Sequence, residues 1–300
     1  MTNNAHAERP KIAIIGVGNM GLGMARALLT AGFVVQGCDT AAPAAAAAQQ
    51  VGVIMHAAPR LAAAQASTVL IAVVNAAQIQ DVLLDLIPAL TARHTVLFMS
   101  TTAPDDAARF VAQVTATGAQ ALDAPMSGGP ARAAAGQLTL MLAGSDAALA
   151  AAQTVTQVLA NRSFTVSHVA GDATKVKLLN NLLAGIHLAA GAQVLRLAGD
   201  LGLNPSTFLE LTQVSSGQSW IAGDRLPRAL AGDFEPRSYL HILTKDVTLA
   251  NAMLAANGCA LPLGTDAQAV FKAAMAQGHT QLDDCAVYLL PAGKGVGKAE

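Results

Sequence analysis

A short apolar run that ends in a fixed glycine spacing constrains this chain more than any other feature. Ile12 to Ile15 read as a buried strand that leads directly into Gly16-x-Gly18-x-x-Gly21. Apolar residues then recur at helical spacing through Met24, Leu28 and Leu29. A strand feeding a Gly-rich turn that opens a helix is the setting in which this motif acquires meaning. Gly16 permits the tight turn, Gly18 lets the backbone approach a pyrophosphate, and Gly21 lets helix and strand pack closely. The helix N-terminus adds free N–H groups and the positive end of a dipole.

A second strand, Phe33 to Cys38, ends at Asp39, which is 23 positions past Gly16. That is where a carboxylate meets the adenosine ribose hydroxyls of a dinucleotide. The plainer alternative is a Gly turn in an α/β sheet, with Asp39 merely closing a strand. A carboxylate at 39 repels a 2′-phosphate, and Thr40, Ala41 and Ala42 supply no Arg to hold one. NAD is therefore expected over NADP.

Three hundred residues suffice for two domains, and a 53% apolar composition supplies an extensive core. Much of that count is Ala, as in Ala44 to Ala48, which favours helix more than it builds core volume. A net charge of −1 and 3% aromatic residues give no basis for nucleic acid or an anionic membrane as partner. Cys38, Cys259 and Cys285 are widely spaced and form no metal-ligand pattern, so no metal is expected. Cys38 reads as a core residue. Met1 to Pro10 lacks the apolar stretch of a secretory signal. The most membrane-like stretch, Leu178 to Gly199, is interrupted by Asn180, Asn181, His187, Gln193 and Arg196, and reads as a buried helix. The expectation is a cytoplasmic protein.

Beyond Asp39, strands and helices alternate. Helices are expected over Pro43 to Gln50, Pro59 to Gln65 and Ile79 to Leu90, and short strands over Val51 to Ile54, Thr68 to Val74 and Thr95 to Met99. Asn75 reads as the end of the strand over Thr68 to Val74. Ser100 to Asp105 carries a helix-start signal, with Pro104 and Asp105 in the first turn. Ala119 to Leu122 and Leu138 to Ala143 read as two more strands, separated by the loop Asp123 to Pro130. This alternation predicts a parallel, doubly wound Rossmann sheet. From Gly171 onward helical patterns take over: Ala173 to Leu201, Pro205 to Gln213, Leu243 to Asn257, Pro262 to Gln277 and Asp284 to Leu290. The expected architecture is a Rossmann dinucleotide-binding domain over 1–165, then an all-helical domain over 166–300, with a frayed tail after Pro291.

Lysine is absent between Lys11 and Lys175, after which Lys175 and Lys177 stand beside an apolar run. Helical spacing sets Lys177 and Asn181 one above the other on one face. Two adjacent Asn residues inside an apolar helix are costly unless their amides find partners. Spacing alone leaves two readings open, a functional pair or an exposed Lys with a backbone-bonded Asn. The loop from Asp123 to Pro130 offers successive N–H groups and the Ser127 hydroxyl, a nest for a carboxylate, or else a turn stiffened by Pro125 and Pro130. Thr101, just past a strand end, faces the crevice where doubly wound sheets bind ligands, or caps the next helix. Lys245-Asp246 reads on its own as a solvated ion pair.

Taken together, these motifs resemble the β-hydroxyacid dehydrogenase family, over Lys11 to about Leu290. Gly16-Val-Gly-Asn-Met-Gly21 is similar to that family's cofactor loop, and Asp123-Ala-Pro-Met-Ser-Gly-Gly129 to its substrate-carboxylate loop. Gly171 through Asn181 is similar to its catalytic block, and Lys245-Asp-Val-Thr-Leu-Ala250 to a block whose Lys contacts the cofactor. The resemblance implies Lys177 as catalytic acid/base with Asn181 as its partner, and Ser127, Gly128 and Gly129 as the substrate-carboxylate site. It implies cofactor contacts at Gly16, Val17, Gly18, Asn19, Met20, Gly21, Asp39, Val73, Val74, Asn75, Thr101 and Lys245. It further implies a small hydroxy-acid substrate and a homodimer or homotetramer built through the helical domain. An unperturbed Lys, with a pKa of ~10.4, is a poor base at neutral pH, so burial and neighbouring cations would have to lower it.

Two positions depart from the family pattern: Ala173 stands where a second Gly is frequent, and Cys285 where a Ser is. Ser216 to Trp220 and Arg225 lie in the region that shapes substrate choice. An imine reductase of the same superfamily is the alternative enzyme, and Lys177 and Asp39 argue against it. A non-catalytic nucleotide-binding module is the other alternative, and retention of all the named groups argues against that.

Overall fold

The computed structural model describes residues 11–291. The reading of Met1 to Pro10 and that of the tail with Gly293, Gly295 and Gly297 lie outside the described residues. The chain divides into two compact units, one up to Lys177 and one from Leu178.

The first unit opens with β1 (Lys11–Ile15), α1 (Asn19–Thr30), β2 (Val34–Cys38), α2 (Ala42–Gln50) and β3 (Ile54–Met55). It continues through α3 (Pro59–Ala64), β4 (Thr68–Ile71), α4 (Ala76–Leu86), β5 (Thr95–Phe98), α5 (Pro104–Thr115) and β6 (Gln120–Asp123). Then come β7 (Met126–Ser127), α6 (Gly129–Ala134), β8 (Leu138–Ala143), α7 (Asp146–Leu159) and β9 (Ala160–Ser167). The sheet order is β3-β2-β1-β4-β5-β6-β8-β7, with β9 paired to β8. Strands β1 to β6 are mutually parallel.

The apolar runs of the central strands are continuous because both sheet faces are covered. Ile12, Ile14, Leu70, Leu97 and Leu122 point to one core with Met24 and Leu28 of α1 and Val155 of α7. Ala13, Ile15, Val69, Ile71, Val96 and Phe98 point to the other, with Leu83 of α4 and Phe110 of α5. Cys38 lies in this second core, as expected.

Three expectations change. Val51 and Gly52 form a turn, so the strand shifts to Ile54–Met55. β8 runs antiparallel to β6. The intervening β7 also pairs antiparallel with β8, through Met126↔Leu140 and Ser127↔Thr139, so the chain folds back after the short α6 instead of crossing over. Strand β9 and helix α7 were not foreseen. β9 is polar and largely exposed, ANRSFTVS, which hides it from a search for apolar runs.

The second unit is helical. Helix α8 (Asp172–Asp200) begins in the first unit and continues into the second. It is followed by α9 (Pro205–Gln213), α10 (Trp220–Leu230), α11 (Leu240–Ala256), α12 (Pro262–Ala274), a π-helical turn and a 3-10 helix over Asp284–Leu289. By length and composition α8 could cross a membrane. Its Leu178, Leu182, Leu188 and Leu195 instead share a core with Leu226, Val247 and Phe271 from α10, α11 and α12.

Candidate active site

In the parallel part of the sheet, strand order reverses between β1 and β4, which puts the turns after these strands at a ligand-binding crevice. Backbone hydrogen bonds tie that edge together. Gly16 N donates to Cys38 O at 2.9 Å, Ala72 N to Ile15 O at 2.8 Å and Met99 N to Ile71 O at 2.9 Å. The Ser100 hydroxyl donates to Val73 O at 2.7 Å, joining the turns after β4 and β5.

The three motif glycines are present for different reasons. A Cβ on Gly21 would lie 2.0 Å from Gly16 O, and one on Gly16 2.6 Å from Ala72 O, so the protein's own packing forbids both. Gly18 is different: its φ is −62° and a Cβ there would meet nothing within 4 Å. The fold itself does not require glycine at 18. The open space there leaves room for close approach by a ligand such as a dinucleotide pyrophosphate at the start of α1. Gly18→Val is expected to weaken NADH binding at least about tenfold without lowering the melting temperature, as read by fluorescence titration and calorimetry.

Asp39 follows β2, and its Oδ2 accepts from Val17 N at 2.7 Å while Oδ1 accepts from Ala41 N at 2.8 Å. Its carboxylate is thus held against the glycine loop. Val73 and Val74 lie beyond β4, which ends at Ile71 rather than at Val74. Asn75 does not end that strand but caps α4, its side chain accepting from Gln78 N at 2.9 Å. Gln78 returns the bond by accepting from Val74 N at 2.8 Å, so the turn is rigid. Thr101 stands in the turn after β5, and the residue capping α5 is Ala103, without a side-chain bond, so Thr101 is not the cap.

The loop after β6 is partly ordered as β7, paired with β8 through Met126↔Leu140 and Ser127↔Thr139. Gly128 (φ +138°) and Gly129 (φ +74°) follow in a conformation that L side chains rarely adopt. A Cβ on Gly129 would meet nothing within 4 Å, which leaves the backbone there accessible to a ligand. Behind this loop, the buried Asp123 carboxylate accepts hydrogen bonds from the start of α8. Lys177, buried, lies in the second turn of α8. Ala173 is fully buried in the first turn, which accommodates a methyl group.

Within the second unit, Asn181 Nδ2 donates to Asp246 Oδ2 at 2.6 Å, and Lys245 Nζ lies 2.8 Å from Asp246 Oδ1. Asp246 is buried, so this is an anchored pair rather than a solvated one, and it orients two of the expected site residues. The role of Asp246 was missed because its partner lies 65 residues away. Arg225 stands in an ion-pair cluster. Its Nε donates to Asp284 Oδ1 at 2.7 Å, and it lies 3.8 Å from Asp283 Oδ1. Its Nη1 also bonds Asp224, so the guanidinium is engaged by three carboxylates, two of them buried. Cys285 lies fully buried beside them, and burial pushes its thiol pKa up.

Residues 11–170 match the family described as the NAD binding domain of 6-phosphogluconate dehydrogenase. Residues 171–290 match the NAD-binding family of NADP-dependent 3-hydroxyisobutyrate dehydrogenase. An L-threonate dehydrogenase of Cupriavidus necator is 34% identical, over 96% of this chain and 99% of the relative. A probable 3-hydroxyisobutyrate dehydrogenase of Mycobacterium bovis is 32% identical, over 92% of this chain and 96% of the relative. The crystal structure of a 3-hydroxyisobutyrate dehydrogenase from Salmonella typhimurium superposes with a TM-score of 0.87 at 34% identity, covering 93% of this chain and 99% of that one.

Proposed function

Since the chain belongs to the β-hydroxyacid dehydrogenase family, and is thereby an NAD(P)-dependent oxidoreductase, we propose that it oxidises a short hydroxy acid with NAD, using Lys177 as general acid/base. The observation that carries this reading is the burial of Lys177 just past the Asp123-anchored start of α8. Lysine is mostly exposed in proteins, so a lysine at 8% exposure in this position sets its ammonium apart from bulk water. Away from bulk water, its proton exchanges with a substrate oxygen in preference to solvent.

The substrate carboxylate is held by the Ser127 hydroxyl and the backbone N–H groups of Gly128 and Gly129. A bound nicotinamide would supply the acceptor for the hydride of the carbinol carbon. Lys177 takes the hydroxyl proton, and returns one in the reverse direction. Asn181, four residues on in the same helix, donates to the substrate oxygen and is itself steadied by Asp246. Gly16 to Gly21 cradle the pyrophosphate, with Val73, Val74, Asn75, Thr101 and Lys245 as further cofactor contacts. Asp39 supports NAD over NADP, because its fixed carboxylate repels a 2′-phosphate.

The named relatives support a three- or four-carbon acid, either a threonate-like sugar acid or 3-hydroxyisobutyrate. Initial rates of NAD reduction with L-threonate, 3-hydroxyisobutyrate, D-glycerate and L- and D-serine test this directly. One acid should dominate, with NADP slower than NAD. Silence across the panel from a protein that binds NADH contradicts the substrate class. Homodimeric or homotetrameric assembly belongs to the same reading, and the outward Leu179, Leu183, Val194 and Leu197 of α8 support it. A monomer mass by light scattering contradicts it. Cytoplasmic residence is supported by three cysteines that are all free.

A further inference from the structure

Asp123 ends β6 and is 1% exposed, a carboxylate placed where water cannot serve it. Its Oδ2 accepts from Gly171 N and from Thr174 N, both at 2.9 Å, and its Oδ1 accepts from the Thr174 hydroxyl at 2.7 Å. Burial pushes its carboxyl pKa up, while the bonds from Thr174 and Gly171 push it back down. The first N–H groups of a helix have no partner within it, and a carboxylate there also complements the positive end of the dipole. For a helix of 29 residues this is an effective anchor. Gly171 fixes the same point from another side: its φ is +97°, and a Cβ would lie 2.8 Å from Pro104 O at the start of α5.

This anchor stands four residues before Ser127 and binds the backbone three residues before Lys177. Three residues of helix are about 4.5 Å of rise, less than one turn. One buried carboxylate therefore grips both the strand that carries the substrate-carboxylate loop and the turn that presents the lysine. The partners are 48 and 51 residues away, so no local constraint supplies this register.

We infer that Asp123 is a positioning residue for Lys177, setting where its ammonium stands relative to the Ser127–Gly129 loop. This rests on Lys177 as the acid/base. A group held in reacting geometry loses about 10²-fold when displaced by ~1 Å.

The test compares Asp123→Ala, Asp123→Asn and Thr174→Val in the full-length protein. It follows kcat and KM for the hydroxy acid, the Kd for NADH, the melting temperature, and amide hydrogen exchange over 171–177. Asp123→Ala is expected to lower kcat roughly 10- to 100-fold per folded molecule, with KM and the NADH Kd changing less than about threefold and exchange at 171–177 accelerated. Asp123→Asn is expected to restore most of the turnover. An amide can accept both backbone N–H groups on Oδ1 and donate to the Thr174 hydroxyl. A purely structural role would move the melting temperature without that split or rescue.

Wild-type kcat in Asp123→Ala, or an Asn variant as slow as the Ala variant, overturns the inference. If the Ala variant does not fold, Thr174→Val decides: a drop of about three- to tenfold in kcat supports it, and an unchanged kcat overturns it. Lys177→Ala, measured in parallel, separates the two ideas. Full turnover in that variant sinks the acid/base reading. A dead lysine variant beside a fully active Asp123→Ala sinks only the positioning role.

Discussion

Lys177→Ala is expected to lower kcat by roughly 10²- to 10⁴-fold, the range for removing a positioned general acid/base. The loss should sit in turnover, because Lys177 belongs to α8 whereas the pyrophosphate cradle is built from Gly16, Gly18 and Gly21 after β1. NADH affinity, read by fluorescence titration, should stay within about threefold of wild type. Lys177→Met, which keeps an unbranched apolar stem in the buried position, should be as inactive as the alanine variant, and this separates lost chemistry from lost packing. A variant that turns over normally at any pH would remove Lys177 from the mechanism.

The second large effect is on stability and lies in the helical unit. Arg225 bonds Asp284 at 2.7 Å and approaches Asp283 at 3.8 Å, and both carboxylates are essentially inaccessible to water. Arg228 Nη1 lies 3.2 Å from Asp283 Oδ1. Removing one partner of a buried ion pair leaves a charge without compensation, which costs about 3–5 kcal/mol. Arg225→Met is therefore expected to destabilise the protein by about that amount in urea or thermal unfolding, far beyond a surface substitution. A change within about 0.5 kcal/mol would mean that the cluster is not held as described.

The same cluster carries a pH dependence. Burial, with Asp283 alongside, pushes the Asp284 pKa up to about 7, while Arg225 opposes the shift. A carboxyl with a folded pKa above its unfolded value of about 3.9 favours folding most below that value. It loses the contribution as pH rises through the folded pKa. Asp284 thus makes wild type lose stability between about pH 4 and 7. Asp283, held below the ordinary range by backbone N–H groups and Arg225 despite its burial, contributes above that range and loses its effect only in acid. Asp284→Asn removes the titration at 284, so the melting temperature of wild type relative to this variant should fall as pH rises from 5 to 8.

The first third of the chain was legible because it is written in bounded apolar runs. Lys11–Ile15 and Val34–Cys38 emerge where alternation and glycine punctuation placed them, and Asp39 meets the glycine loop through Val17 N. Lys177 stood out because no lysine lies between Lys11 and Lys175, and the structure adds that it is buried near the start of α8. What stayed hidden depends on distant partners or on polar strands. β9 presents no apolar run, and α10 carries Gly223 and the interior Pro227, residues that signal helix ends in a sequence. Arg225 was placed only in the region that shapes substrate choice because its two buried carboxylate partners lie about sixty residues downstream. Asp123 read as the start of a loop because Gly171 and Thr174 meet it only in the folded sheet.

The most direct test of the account is to follow isotope from substrate to cofactor. The most active acid of the panel, deuterated at its carbinol carbons, is incubated with NAD and the purified protein, and the reduced cofactor is weighed by mass spectrometry. NADH one mass unit heavy is expected, formed by wild type and not by Lys177→Ala. Unlabelled NADH, or labelled NADH formed equally fast without Lys177, would contradict it.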